Sequence, residues 1–274
     1  LLGVFSIKEV FRQNQEKKVE EIMKKQVIKV NSHADQERVA ILALRNNLKA
    51  IPVVDREERL LGIVTSDTIL NILHSEHVED ILKAGGISLV DKKIKELATA
   101  PAITLVKARF FWLLIGLLGG VLAAQIIGFF EETLKSQILL ALFLPVIVYI
   151  TDAVATQTET LIIRGIAIDA KFSLSKYFLR EIKVGSLLGL ILGVILAVIA
   201  ALWWKEPLFG IILMITLFFS IFLSVIVAMS IPLILQKLKQ DPALGSGPFA
   251  TILTDILSIT VYFIIATFLL NFFG

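Results

Sequence analysis

The chain has no cysteine among its 274 residues. Disulfides, thiolate metal sites and cysteine nucleophiles are therefore excluded. Other soft-metal ligands are scarce, with three methionines and three histidines, so a soft-metal path has little to be built from. His74 and His77 share a stretch with Glu76 and Asp80. Their order, His74-Ser75-Glu76-His77, is not the HExxH spacing that sets two histidines one turn apart around zinc. They read, with His33, as solvated residues. The lack of that motif, and of a Ser–His pair at depth, argues against an intramembrane enzyme. The net charge is only +3, which gives no footprint for nucleic acid. No signal peptide opens the chain: a short apolar patch leads straight into charged helix. An initiating methionine is lacking too, which predicts a piece of a longer chain.

Hydrophobic residues, in contrast, are abundant. They make up 56% of the chain, and the mean hydropathy is +0.83. The excess is uneven. Residues 1–107 carry many charges and read as a soluble part, and the long apolar runs all come later. A membrane-crossing helix needs roughly 20 mostly apolar residues. Five stretches qualify: Ala108–Phe130, Ser136–Ile163, Val184–Trp204, Leu208–Leu235 and Pro248–Phe273. Basic residues favour alternate connections. Arg164, Lys171, Lys176, Arg180 and Lys183 stand between the second and third stretches, and Lys237 and Lys239 between the fourth and fifth. Cytoplasmic loops carry such an excess, so the soluble part is expected in the cytoplasm and the C-terminus outside. Trp203 and Trp204 suit the outer interface. Gly185, Gly189 and Gly193, four apart, predict a close helix contact.

The soluble half carries an internal repeat. Leu1-Leu2-Gly3-Val4-Phe5-Ser6 parallels Leu60-Leu61-Gly62-Ile63-Val64-Thr65. The second copy reads as a helix (Gln15 to Met23), a strand (Val27–Val30), an amphipathic helix (Ser32 to Asn47), strands at Ala50–Asp55 and Leu60–Thr65, and a helix from Ser66 to Leu73. Between Gly85-Gly86 and Pro101, ISLVDKKIKELATA has the period of a helix joining this part to the membrane part.

Two membrane stretches carry acids. A charged side chain at membrane depth costs at least a few kcal/mol, so it normally faces a wet cavity or a partner. In the last stretch, Thr251, Asp255, Ser258 and Tyr262 fall on one face at about 100° per residue, with Thr254 beside them. Ser246 suits the N-cap and Pro248 the first turn. In the second stretch, which Pro145 is expected to kink, Asp152, Thr156 and Glu159 share a face, flanked by Gln157 and Thr160. Glu159 stands near Arg164, so it either lines a path or is solvated at the rim. Asp241 either receives an ion at the end of the fifth helix or caps that helix. Carboxylates, hydroxyls and carbonyls are the ligands of hard cations such as Mg²⁺, which dehydrates reluctantly.

The order of strands and helices, with IPVVD and LLGIVTSD, resembles a CBS domain. Members of that family often bind adenosine nucleotides, but the family's ribose-binding acid falls here at Thr68, with Asp67 one residue early. The motifs DPALGSGPFATILTD, then Tyr262-Phe263, and FLPVIVYITDAVATQTETLIIRGIA resemble the MgtE family of magnesium channels and transporters. The resemblance implies an α-helical membrane protein with five transmembrane helices per subunit forming a dimeric pore, preceded by a small α+β CBS domain. It implies a first CBS remnant over 1–14, a CBS domain over 15–85, a connecting helix over 86–107 and a cation transport domain over 108–274. It further implies a homodimer in a prokaryotic cytoplasmic membrane, moving hydrated Mg²⁺ along the two-fold axis, with Mg²⁺ as regulatory ligand. The family's ion-binding carboxylate maps onto Asp255. Asp152, Asp241 and Glu159 complete the expected metal-facing set. Thr251, Thr254, Ser258, Thr156 and Gln157 are the expected lining. The family's Gly-Gly-Asn is replaced by Thr151-Asp152-Ala153, which adds an acid. The connecting helix is lysine-rich, with Asp91 and Glu96 against Lys92, Lys93 and Lys95. A carrier driven by protons or Na⁺, using Asp152 or Glu159, is the alternative. A receptor without transport is another.

Overall fold

A computed structural model describes residues 1–14, 16–88, 100–168, 173–244 and 246–273. Most of the expected connecting helix, with Asp91, Glu96 and its lysines, lies outside the described residues, as do Asp169 and Lys171. The chain divides into two compact units, Leu1–Glu79 and Asp80–Gly274.

In the first unit Val4 bridges to Lys24 through a reciprocal pair of backbone hydrogen bonds. The helices α1 (Ile7–Val10) and α2 (Val19–Ile22) are single turns. Ser6 and Glu9 cap α1 reciprocally, which satisfies two N–H groups that the helix itself leaves unpaired. The expected helix from Gln15 to Met23 shrinks to α2 because Glu16, Lys17, Lys18 and Glu20 leave it no apolar face to bury. Three strands, β1 (Val30–Asn31), β2 (Ala50–Val54) and β3 (Leu60–Thr65), form one sheet in that order. β1 runs parallel to β2, and β3 antiparallel to it. The β1 ladder starts at Val53, one residue beyond Pro52, so the N–H that proline lacks costs that ladder nothing. Helix α3 (Gln36–Arg45) starts at an Asp35 cap, whose side chain accepts the Arg38 N–H. Val39, Ala40 and Ala43 of α3 pack with Ile51 of β2 and with Ile69 of α4 (Ser66–Ala84). α4 runs well past the expected end at Leu73.

The second unit is helical. Its main elements are α5 (Ala102–Phe129), the short α6 (Glu131–Ser136), α7 (Leu139–Ile168), α8 (Leu174–Trp204), α9 (Pro207–Lys237) and α10 (Ser246–Phe273). Five of them are long and apolar enough to cross a membrane. α9 holds the centre: α7, α8 and α10 all pack against it, and α5 packs on α10. One apolar core joins Leu140, Phe143 and Ile147 of α7, Leu196 of α8, Ile212, Leu217 and Val225 of α9, and Tyr262 of α10. The expected glycine contact is the α8–α9 seam. A Cβ on Gly185 would sit 2.7 Å from Val225, and one on Gly193 would sit 2.9 Å from the Met214 carbonyl oxygen. Only hydrogens fit there, so the two backbones approach closely.

Two expectations are corrected. The third membrane helix begins at Leu174 rather than Val184, so Lys176, Arg180, Glu181 and Lys183 are helical residues and not a loop. Exposure of Lys176, Arg180 and Lys183 along one face keeps their charges solvated while the helix extends. The first membrane helix likewise begins early, at Ala102. α7 is helical on both sides of Pro145.

Candidate ion-binding site

The carboxylates at membrane depth come from α7 and α10. These helices pack on each other, and the Tyr262 hydroxyl donates to the Leu140 carbonyl across the seam at 3.0 Å. That bond pins the register of the two helices. The register sets Asp152 of α7 close enough to Asp255 of α10 for their charges to interact. Both side chains are half-buried. One oxygen of Asp152, Oδ1, is buried without a hydrogen-bond partner among the described residues. Like charges near one another in a partly apolar setting disfavour each other's charged form.

The hydroxyls around the pair divide into two groups. Thr254 is buried and donates to the Ala250 and Thr251 carbonyls at 2.8 and 3.0 Å. Ser258 is buried and donates to the Asp255 carbonyl at 3.0 Å. Their hydrogens go to the α10 backbone, the usual way a hydroxyl is tolerated inside an apolar helix. Thr251 is half-buried, and Thr156, Gln157 and Thr160 of α7 are exposed. Thr160 donates to the Thr156 carbonyl at 2.8 Å. Pro248 does fall in the first turn of α10, which begins at Ser246.

Glu159 departs from the rim reading. It is 4% exposed, although Arg164 nearby is exposed. Next to it Thr158 donates to Oε1 of Glu181 on α8 at 3.2 Å. Glu181 is itself 8% exposed, and Tyr177, one turn earlier, faces the same carboxylate. Sequence reasoning missed Glu181 because it stood among basic residues in a presumed loop. Its signal was the i, i+4 spacing from Tyr177. α9 adds Thr216, Ser220 and Ser224, buried at four-residue spacing. The Thr216 and Ser220 hydroxyls, like that of Thr151 on α7, have no hydrogen-bond partner.

Asp241 lies in the turn before α10. Its Oδ1 accepts the Ala243 N–H at 2.9 Å, and its Oδ2 pairs with Lys83 Nζ at 2.6 Å. It is thus spent on the turn and on an ammonium. Among the described residues, no three His, Cys, Asp or Glu side chains group as a ready metal cluster.

Two family models match the chain. Residues 144–265 match the family model for MgtE, described as a divalent cation transporter, and residues 19–75 match the CBS domain. The magnesium transporter MgtE of Bacillus subtilis is 34% identical over 97% of this chain and 58% of its own length. The magnesium transporter MgtE of Thermus thermophilus is 35% identical over 99% of this chain and 60% of its own length. The chain thus spans about three fifths of the curated relatives it matches. A solved structure of the cytosolic domain of the Mg²⁺ channel MgtE in complex with ATP is 40% identical, over 26% of this chain and 29% of that one, with a TM-score of 0.26.

Proposed function

Residues 144–265 belong to the MgtE family of divalent cation transporters and residues 19–75 to the CBS domain family, and from that premise we propose that the chain moves Mg²⁺ across a prokaryotic cytoplasmic membrane. The feature that supports the reading is that two packed helices of membrane-grade hydropathy, α7 and α10, each carry one half-buried carboxylate, Asp152 and Asp255. Asp255 attracts and holds the hydrated ion, and Asp152 strengthens the field. Thr251 and Thr156 meet its water. Two subunits together form the pore, on their shared axis, and the CBS domain on the cytoplasmic side regulates it with Mg²⁺ as signal. The C-terminus is outside.

In liposomes, wild-type protein is expected to take up Mg²⁺ and Asp255→Ala to take up none while remaining folded. Uptake by that variant at the wild-type rate would sink the reading. A second reading, a carrier coupled to protons or Na⁺, draws on the burial of Glu159 and Glu181 in α7 and α8. Flux that follows an imposed pH or Na⁺ gradient at constant Mg²⁺ would select it.

A further inference from the structure

Within the unit Asp80–Gly274 the last turn of α4 meets the start of α10. The charged part of the contact is Lys83 with Asp241, 2.6 Å apart, the side chains 22% and 34% exposed. The rest is close packing. A Cβ on Gly247 would run into the Ala84 carbonyl oxygen, and one on Gly86 would lie 2.6 Å from Pro248. Gly86 has φ +69°, a conformation that glycine adopts without strain. Trp112 of α5 donates from Nε1 to Ser88 Oγ at 3.2 Å and meets the ring of Phe249 edge-on at 5.4 Å. Lys83 is thus delivered to Asp241 by a packed junction and not by a wandering side chain.

Taking the transport reading above as given, we propose that Lys83 is an autoinhibitory counter-cation: its ammonium occupies Asp241 and keeps this end of the ion path from holding a mobile cation. The N-terminus of α10 already presents partial positive charge, about half a unit. Lys83 adds a full unit beside it. While the pair is formed, an approaching divalent cation meets a neutralised carboxylate in a positive field. Without the ammonium, the same carboxylate is an exposed anion that attracts a hydrated cation. The pair is partly solvated, and such pairs are weak enough for a competing ion to open them. The contact therefore sets a threshold for the ion.

A role in packing alone predicts that loss of either partner acts the same way. Autoinhibition predicts that they act in opposite directions. The test measures initial Mg²⁺ uptake by the full chain in liposomes at sub-saturating Mg²⁺. Lys83→Gln is expected to raise the rate about two- to fivefold, the range set by a partly exposed ion pair. Asp241→Asn, which removes the carboxylate that Lys83 pairs with, is expected to lower it. Lys83→Arg, which keeps the charge, is expected to stay near the wild-type rate, so that a rise with Lys83→Gln reports the charge and not lost packing. A Lys83→Gln rate at or below that of the wild type overturns the proposal. If the folded wild type carries no Mg²⁺ at all, the transport reading fails, and Mg²⁺ titration of the solubilised chain then decides the contact by itself. Lys83→Gln is expected to bind an added Mg²⁺ that disappears when Asp241→Asn is introduced as well. No added Mg²⁺ overturns the proposal on that arm too.

Discussion

Asp152 of α7 and Asp255 of α10 stand half-buried on two helices that pack on each other, and that placement has a stability consequence. With no cation between them, two like charges in a partly apolar setting raise the energy of the fold. Asp152→Asn removes one charge and keeps the shape. The variant is therefore expected to melt at a higher temperature than the wild type in metal-free detergent. It should also gain less from added Mg²⁺, and its half-saturating Mg²⁺ for uptake should rise by roughly tenfold, the effect of losing about 1.4 kcal/mol of attraction. Equal melting temperatures with and without the substitution would show that the two carboxylates do not sense each other. A different carboxylate stabilises the first unit. Asp55 accepts the Arg59 and Glu57 N–H groups on Oδ1 and the Arg59 Nε on Oδ2. The Arg59 N–H above all holds its pKa below the ordinary 3.8; burial opposes it, and the Arg59 side chain and the Glu57 N–H add to the lowering. A carboxylate whose folded pKa is depressed stabilises above its unfolded pKa, and that contribution is lost as the pH falls through the folded value. Asp55→Asn should therefore lower the melting temperature of this unit at pH 6, and the gap to the wild type should close as the pH drops below 3.8. A gap independent of pH would mean that Asp55 acts by shape alone.

At the scale of elements, the helix that organises the membrane unit is α9, flanked by α7, α8 and α10. Its place was hard to read in the sequence. α9 carries no acid, and its stripe of Thr216, Ser220 and Ser224 is made of small hydroxyls that an apolar helix tolerates, so its pattern marks a central helix only weakly. The acids of α7 and α10 were conspicuous for the opposite reason, since charge at depth is rare enough to stand out. The α8 glycines were legible as a contact but not as to partner, because spacing shows a flat face and not what lies on it. Helix ends were the least legible: α8 starts inside a charged stretch because a helix with one solvated face tolerates charge where a membrane span does not. Glu181 was hidden by that same misplaced boundary. The α8–α9 seam gives a sharp test. Gly193→Val would drive a branched side chain into the Met214 carbonyl and is expected to destabilise the solubilised protein by about 1–3 kcal/mol, the usual cost of overpacking. Gly120→Ala on α5, where a Cβ meets nothing within 4 Å, should be neutral within about 0.5 kcal/mol. Similar melting temperatures for the two variants would refute the close α8–α9 approach.

For the whole molecule, the question is how the five long helices sit in a bilayer. α8 has 31 residues and so spans about 46 Å at 1.5 Å per residue, more than the roughly 30 Å of hydrocarbon. Its first turns, with Lys176, Arg180 and Lys183 exposed, therefore project beyond the core, and the stretch from Gly185 to Trp204 does the crossing. This restores the charge bias that the presumed loop had supplied: the basic residues still gather at one end of α8, the cytoplasmic end under the positive-inside rule. On the proposed orientation, five crossings would put the connection at α6 and the C-terminus on the outer side, and the α9–α10 connection on the inner side. The chain lacks cysteine, so any single cysteine introduced is the only thiol that a maleimide can find. An impermeant maleimide applied to intact cells should label Glu132→Cys and Asn271→Cys, both at exposed positions, and spare Lys237→Cys, also exposed, until the cells are opened. The reverse pattern would invert the whole unit and move the soluble part outside. Labelling of Glu132→Cys without Asn271→Cys would mean that one long helix does not cross. The crossing count and the orientation are thus tested separately, because a change in either one moves a different cysteine.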